Sequence, residues 1–391
     1  MWKEITSKIT SSEISKLASE LIKIRSDEEA GEKEICYFLF NYLKALGFSV
    51  EIQNVSHNRP NIIARINGNN NGESLMFNGH LDTVPIGNIE NWKIDPFKPV
   101  IKNNKLFGRG ATDMKGAIAS VIIAIKKFIE KNEKFNGEII FVGVMGEETK
   151  GLGSEKIIKE GIRANMAIVG EPSDGNIYRA HKGTLWFDLK TYGIAEHSSQ
   201  IKSTSNNAIQ NMSYFIEEIS KMNSELKKIN SFVGHPTINI GKITGGIKQN
   251  MIPDKCVISV DRRLLPNEDP HEVINNITKR LQRLEEKDSR LKFDIDIKMI
   301  REGTEVNESE RIVSVVSNAI KLVLKTSPNI SGMQATTDMS ILVNKGNIPT
   351  VIYGPGYIKQ AHIDNEFIEL SQLVDASKVY ATIFSELLLN K

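Results

Sequence analysis

Residues 138–148 read EIIFVGVMGEE: the run is apolar from Ile139 to Met145 and closes on Gly146 and two adjacent carboxylates, Glu147 and Glu148. A short apolar run that stops at a glycine reads as a strand buried on both faces, the habit of parallel sheets. The pattern recurs. LMFNGH at 75–80 ends on His80, MAIVGEP at 166–172 ends on Glu171 and Pro172, and PTVIYGPG at 349–356 stops shortly before His362. In open α/β sheets the ligand site lies beyond the carboxyl ends of the strands. Two imidazoles and several carboxylates are therefore delivered to one sheet edge. Asp113 in GRGATDMKG joins them, and Gly108, Gly110 and Gly116 around it permit close backbone approach.

Each motif has a plainer reading. His80 and Asp82 are two apart at a strand end, so they point the same way. A carboxylate there can hold the second ring nitrogen of a metal-bound histidine. The alternative is a polar loop. For Asp113 the rival is a phosphate-binding turn before a helix, but no GxGxxG or Walker lysine pattern accompanies it. Glu147 and Glu148 repel one another at a buried strand end unless a cation compensates. One can then bind metal while the other serves as general base; the alternative is a solvated acidic turn. Glu171 alone reads as a turn residue. His57, His235 and His271 read as ordinary surface or core histidines. The joint occurrence of His80, Asp113, Glu148, Glu171 and His362 at strand ends is what makes them candidate metal ligands.

The remainder of the chain narrows the class. It has 391 residues, enough for two or three domains, with 40% hydrophobic and 25% charged residues. A formal net charge of +2 gives no reason to expect nucleic acid or a membrane surface. Cys36 and Cys256 lie far apart without a CxxC pattern, which fits a reducing, cytoplasmic setting. The first residues, MWKEITSKITSSEISKLASEL, do not read as a signal peptide. The apolar run Ala117–Ile125 is too short to span a bilayer and reads as a buried helix.

Organisation follows from periodicity. Ile14, Leu17, Leu21 and Ile24 mark one helix face, and Thr10 with Glu13 offers a capping box. A second helix carries Ile35, Phe38, Leu39, Tyr42 and Leu43 and stops at Gly47. Strands are expected near 48–54, 60–67 and 74–79, with GNNNGES at 68–74 as a hairpin or loop. This is α/β patterning. After Lys182 the order becomes strand, helix (Asn206–Ile229), two strands, helix (Pro270–Leu284) and strand (Leu291–Met299). That is the βαββαβ order of a ferredoxin-like unit. Ligand candidates on both sides of it imply an insertion at 183–299 into one domain made of 1–182 and 300–391.

GHLDTVP, GRGATDMKG, GEE, GEPS, HSS, NMIPD, DRRLLP and GPG…AHIDNE occur together in this order. The chain thus resembles the acetylornithine deacetylase / succinyl-diaminopimelate desuccinylase family of dinuclear metallopeptidases. The resemblance covers nearly the whole sequence. It implies a mixed-sheet, zinc-peptidase-like catalytic domain with an inserted lid and dimerisation domain. By position, Asp113 would bridge two metal ions, His80 and Glu171 would hold one, and Glu148 and His362 the other. Asp82 would orient His80, and Glu147 would be the general base. His197 would be a lid histidine that completes the site of a partner subunit in a homodimer, and Asn250 and Arg263 would bind a substrate carboxylate. Glu196 departs from the family, where a small residue is usual. The resemblance also implies a cis peptide after Asp113. His and carboxylate ligands without cysteine suit Zn²⁺, with Co²⁺ or Mn²⁺ as alternatives. The implied substrate is a small N-acyl amino acid: N-acetylornithine first, on the resemblance of YRAHKG, HPTINIGKITGG and GPGYIKQAH, then N-succinyl-diaminopimelate and N-acetyl-lysine, with carboxypeptidase-type activity as a further alternative. A binding protein that kept the fold but lost catalysis would be expected to have lost Glu147 or Asp82, and both are present.

Overall fold

The structure, a computed structural model, describes residues 2–132, 134–202 and 205–389. The chain divides into two compact units. One comprises Met1–Arg179, Val306–Ser331 and Thr337–Lys391; the other comprises Ala180–Glu305 and Gly332–Thr336.

In the first unit the central strands are Asn136–Val144, Asn69–His80, Met166–Val169 and Thr350–Ile352, adjacent in that order and mutually parallel. Their side chains are buried on both faces along Leu75–His80, Ile139–Val144, Met166–Val169 and Thr350–Ile352, which is why these segments read as apolar runs. The flanking strands Arg59–Asn67 and Ser49–Ser56 add on antiparallel, so the sheet is mixed. Helices Ser11–Lys23, Lys115–Lys131, Arg311–Leu324 and Leu370–Leu388 pack together and against the sheet. The run Ala117–Ile125 is wholly buried inside the second of these. Phe77 stacks on Phe141 at 6.1 Å and meets Tyr380 edge-on at 5.5 Å, joining sheet to helix. Thr10 caps the first of these helices by accepting the Glu13 N–H, and Gly47 ends helix Lys33–Ala45 at φ +89°. No helix among the described residues is long and apolar enough to cross a membrane.

One local expectation is overturned. The polar stretch 68–74 is not a separate loop: strand Asn69–His80 begins inside it, with a register shift between Asn69 and Ser74 against the neighbouring strand. Glycines permit this. A Cβ on Gly72 would sit 2.2 Å from the Gly137 nitrogen, and Gly137 itself has φ +80°. Two backbones approach there at a bulge, which composition alone reads as a turn.

The second unit has strands Gly183–Tyr192, Thr237–Gly245, Lys255–Leu264 and Phe293–Arg301, with helices Ala208–Glu225 and Pro270–Lys287. The sheet is antiparallel, with Lys255–Leu264 and Gly183–Tyr192 central, the arrangement of a ferredoxin-like unit. Leu185, Phe187 and Leu189 pack with Met212, Phe215, Ile219, Ile274, Ile277 and Leu281 between sheet and helices. Asn207 and Asp269 cap the two helices. The first helix is shorter than the periodicity predicts. Leu226 ends it and Ile229 is 68% exposed, so the last apolar position has nothing to bury against.

Candidate metal centre

Five segments bring the first unit's site together. Strand Asn69–His80 ends on His80, which pairs in register with Val144, three residues before Glu147. Met166–Val169 leads into Glu171, and the loop before helix Lys115–Lys131 supplies Asp113. His362 follows strand Thr350–Ile352 and sits at φ +63° with its side chain half exposed. The Asp113–Met114 peptide is cis.

The Asp113 carboxylate faces both histidines. Its Oδ1 lies 2.9 Å from His80 Nε2 and its Oδ2 lies 3.2 Å from His362 Nε2. His80 Nε2 is also 3.6 Å from Glu171 Oε1, and His362 Nε2 is 3.0 Å from Glu148 Oε2. Ligand atoms of His80, Asp113 and Glu148, and likewise of His80, Glu147 and Glu171, lie within 4.8 Å of one another. Thus His80, Asp113, Glu147, Glu148, Glu171 and His362 converge in one cluster although they span 283 positions of the chain.

The electrostatics show why such a cluster wants cations. Burial and the charge of Asp113 push Glu148 up to about 7 and Glu171 well above the ordinary carboxylate range. Burial also raises Asp113, but its bonds to His362 and His80 outweigh that and hold it below the usual range. For His362 the bonds to Asp113 and Glu148 raise the imidazole to about 11. Burial lowers His80, yet Asp113 and Glu171 lift it well above the normal value. Closely packed carboxylates sharing two imidazoles, with oxygen and nitrogen donors only, form a set that fits divalent metal ions.

Asp82 does something the sequence did not disclose. His80 Nδ1 donates to the Asp82 main-chain carbonyl at 2.9 Å, which leaves Nε2 as the ligand nitrogen; the Asp82 carboxylate is farther away at 3.6 Å. That carboxylate accepts instead from the Glu147 and Glu148 N–H groups, each at 3.1 Å. Burial, with Glu32 and Glu147 nearby, pushes it up to about 7. Asp82 thus holds the His80 ring through its main-chain carbonyl and the Glu147–Glu148 backbone through its carboxylate. It has help. The Met145 N–H donates to Asn61 Oδ1 at 2.9 Å and the Gly146 N–H to Glu32 Oε1 at 3.2 Å. Four consecutive N–H groups, from Met145 to Glu148, are thus held by three buried side chains. Glu32 lies in a charged stretch and Asn61 at the head of an apolar run, and neither carried a local signal.

His197, Asn250 and Arg263 lie in the second unit. His197 Nδ1 accepts the Ser199 N–H at 3.2 Å and lies 2.8 Å from Ser199 Oγ. The Ser198 N–H donates to the Asn250 carbonyl at 3.0 Å, and His197 pairs with Met251 in an antiparallel bridge. Arg263 bonds Asp261 at 3.1 Å and Thr184 at 3.0 Å. The Glu196 carboxylate accepts from Ser205 Oγ at 3.4 Å.

Comparison with known proteins agrees with this geometry. The chain is 31% identical over 369 residues to the N-formyl-4-amino-5-aminomethyl-2-methylpyrimidine deformylase of Bacillus subtilis (strain 168), covering 88% of this chain and 86% of the relative. It is 27% identical to a probable succinyl-diaminopimelate desuccinylase of Staphylococcus aureus (strain N315), covering 95% of each. Among solved structures, the M20 family metallo-carboxypeptidase Sso-CP2 from Sulfolobus solfataricus superposes with a TM-score of 0.81 at 22% identity, over 95% of this chain and 98% of that one. Residues 76–386 match the sequence profile of peptidase family M20/M25/M40, so the chain belongs to that family and is a metal-dependent hydrolase.

Proposed function

We propose that this hydrolase cleaves the amide bond of a small N-acyl amine, releasing the acyl group as a carboxylate. The observation that carries the reading is the Asp113 carboxylate set between His80 and His362, with Glu147 beside them. In this reading His80, Asp113 and Glu171 would hold one ion and Asp113, Glu148 and His362 the other. Divalent ions so held supply Lewis-acid charge and a water of lowered pKa. Zn²⁺ suits the donors best, with Co²⁺ and Mn²⁺ as working alternatives.

Glu147 takes a proton from the attacking water and returns it to the departing amine, so one carboxylate serves both transfers. Its backbone is fixed by Asp82, which keeps the base where the water must be. His197 stabilises the developing oxyanion from the partner subunit of a homodimer, and Asn250 and Arg263 bind a carboxylate of the substrate. These three roles rest on the family resemblance.

For the acyl group, the motifs favour N-acetylornithine as an amino-acid substrate. The desuccinylase relative favours N-succinyl-diaminopimelate. The deformylase relative supports a second reading, hydrolysis of a formamide on an aminomethyl pyrimidine. Turnover of N-acetylornithine, N-succinyl-diaminopimelate, N-acetyl-lysine and the N-formyl aminopyrimidine, with Zn²⁺, Co²⁺ or Mn²⁺ and with chelator, separates them. The expected result is metal-dependent hydrolysis of one class. Turnover of none, in protein shown to bind metal, overturns the proposal.

A further inference from the structure

We infer that Arg109 and Glu366 are positioning residues for the metal centre, a buried ion pair that staples together the loops carrying His80, Asp113 and His362. The inference rests on the two-metal reading above. The pair is 2.9 Å apart, with side chains 3% and 1% exposed. Glu366 Oε1 accepts the N–H groups of Thr112 at 2.7 Å and Asp113 at 3.1 Å. Glu366 Oε2 accepts the Gly110 N–H at 3.0 Å and Arg109 Nη1. One carboxylate thus takes four donors, all from residues 109–113.

Arg109 reaches the other two loops. Its Nη1 donates to the Ile363 carbonyl at 3.2 Å, one residue after His362. Its Nη2 donates to the Pro85 carbonyl at 3.3 Å, on the segment that leaves His80. The guanidinium also lies 5.1 Å from the Trp92 ring centre.

Residues 108–114 form turns rather than helix or strand, held besides by the Arg109 N–H on the Pro96 carbonyl at 2.9 Å and by Thr112 Oγ1 on the Phe367 carbonyl at 2.7 Å. The loop runs through Gly108 and Gly110 at φ +151° and +85°, and helix Lys115–Lys131 begins after it without a side-chain cap. The bridging position of Asp113 between the two histidines therefore depends on the backbone that Glu366 holds. A planar guanidinium and a carboxylate suit the task, because each offers several rigidly spaced bonds that lysine or an amide cannot reproduce.

The test is Co²⁺ titration of chelator-treated, dialysed protein, followed by visible absorption, for wild type, Glu366→Gln and Arg109→Lys. Phe384→Leu, in the packing against Phe128, is the control for general destabilisation. Both staple variants are expected to weaken Co²⁺ binding by about 10–100-fold and to shift the absorption bands, as loss of groups behind metal ligands does. The control should lower the unfolding midpoint without moving either readout. If either staple variant binds Co²⁺ within about threefold of wild type, far short of that outer-shell range, or loses no more affinity than the control at matched stability, the inference is wrong. If the wild type binds no Co²⁺, the two-metal reading fails first. Arg109→Lys keeps the charge and tests the idea even where Glu366→Gln does not fold.

Discussion

Replacing Asp82 with alanine should loosen the turn that carries Glu147 and Glu148. Both carboxylate oxygens are committed there, one to each N–H at 3.1 Å, and the side chain is 2% exposed. Alanine leaves two buried donors without acceptors. An orphaned buried donor costs about 1–3 kcal/mol, so the pair should cost roughly 2–6 kcal/mol. Relief of repulsion from Glu32 and Glu147, which helps push Asp82 up to about 7, opposes this and favours the lower part of the range. Asp82→Asn is the sharper probe. Its amide oxygen can serve one N–H, but its amide nitrogen then faces the other, donor against donor. The turn must shift, and a displacement of about 1 Å at a base can lower turnover by roughly a hundredfold. The assays are denaturant unfolding of chelator-treated protein and turnover of the metal-loaded enzyme. Both variants should also bind metal about 10–100-fold more weakly, because the turn they loosen carries the proposed ligand Glu148, so turnover is compared at saturating metal. If Asp82→Ala lies within about 1 kcal/mol of wild type, the value of one ordinary hydrogen bond, and turns over normally, the turn holds itself and the clamp argument fails.

Other outcomes follow from the same geometry. Glu147→Ala should retain metal but lose about 10²–10⁴-fold in turnover, the usual range for a missing general acid–base; near-normal activity removes Glu147 from its proposed role. Adding Zn²⁺ at about 100 times its Kd should stabilise the fold by about 2.7 kcal/mol, and chelator should reverse this; a melting temperature insensitive to metal contradicts tight binding to the folded chain. Metal affinity should fall as pH is lowered and rise as it is raised, because protons compete for His80 and His362, both raised by their carboxylate neighbours; isothermal titration at several pH values reads this, and an affinity flat from acid to neutral pH contradicts it. Inactive Glu147→Ala and His197→Ala chains, mixed under proven subunit exchange, should regain part of the activity through hybrid dimers with one intact site; a mixture that stays dead, or an active monomer, removes the trans role of His197.

Reading the chain alone reached the strand-end residues because their signal is local. A strand buried on both faces must be apolar throughout, so a histidine or carboxylate where the run stops stands out. His80, Glu147, Glu148 and Glu171 were legible this way. The second unit was legible for the same reason: alternation along Lys255–Leu264 and helical spacing along Pro270–Lys287 are properties of short windows. Polarity misled at 68–74, where glycine-assisted close approach makes strand from a stretch that looks like a turn.

By itself, then, the sequence determined the α/β class, the ferredoxin-like order of the second unit and the chemical types gathered at one sheet edge. Tertiary structure alone decided how those groups are held. The Gly146 N–H meets Glu32 across 114 residues, and the Asp113 N–H meets Glu366 across 253. The Asp82 carboxylate lies closer to the Glu147–Glu148 backbone, 65 and 66 residues away, than to the histidine two residues before it. Periodicity records which face of an element meets the core, because burial repeats with the backbone. A single buried hydrogen bond between distant loops repeats with nothing, so it appears only when the chain has folded and each buried donor has found its acceptor.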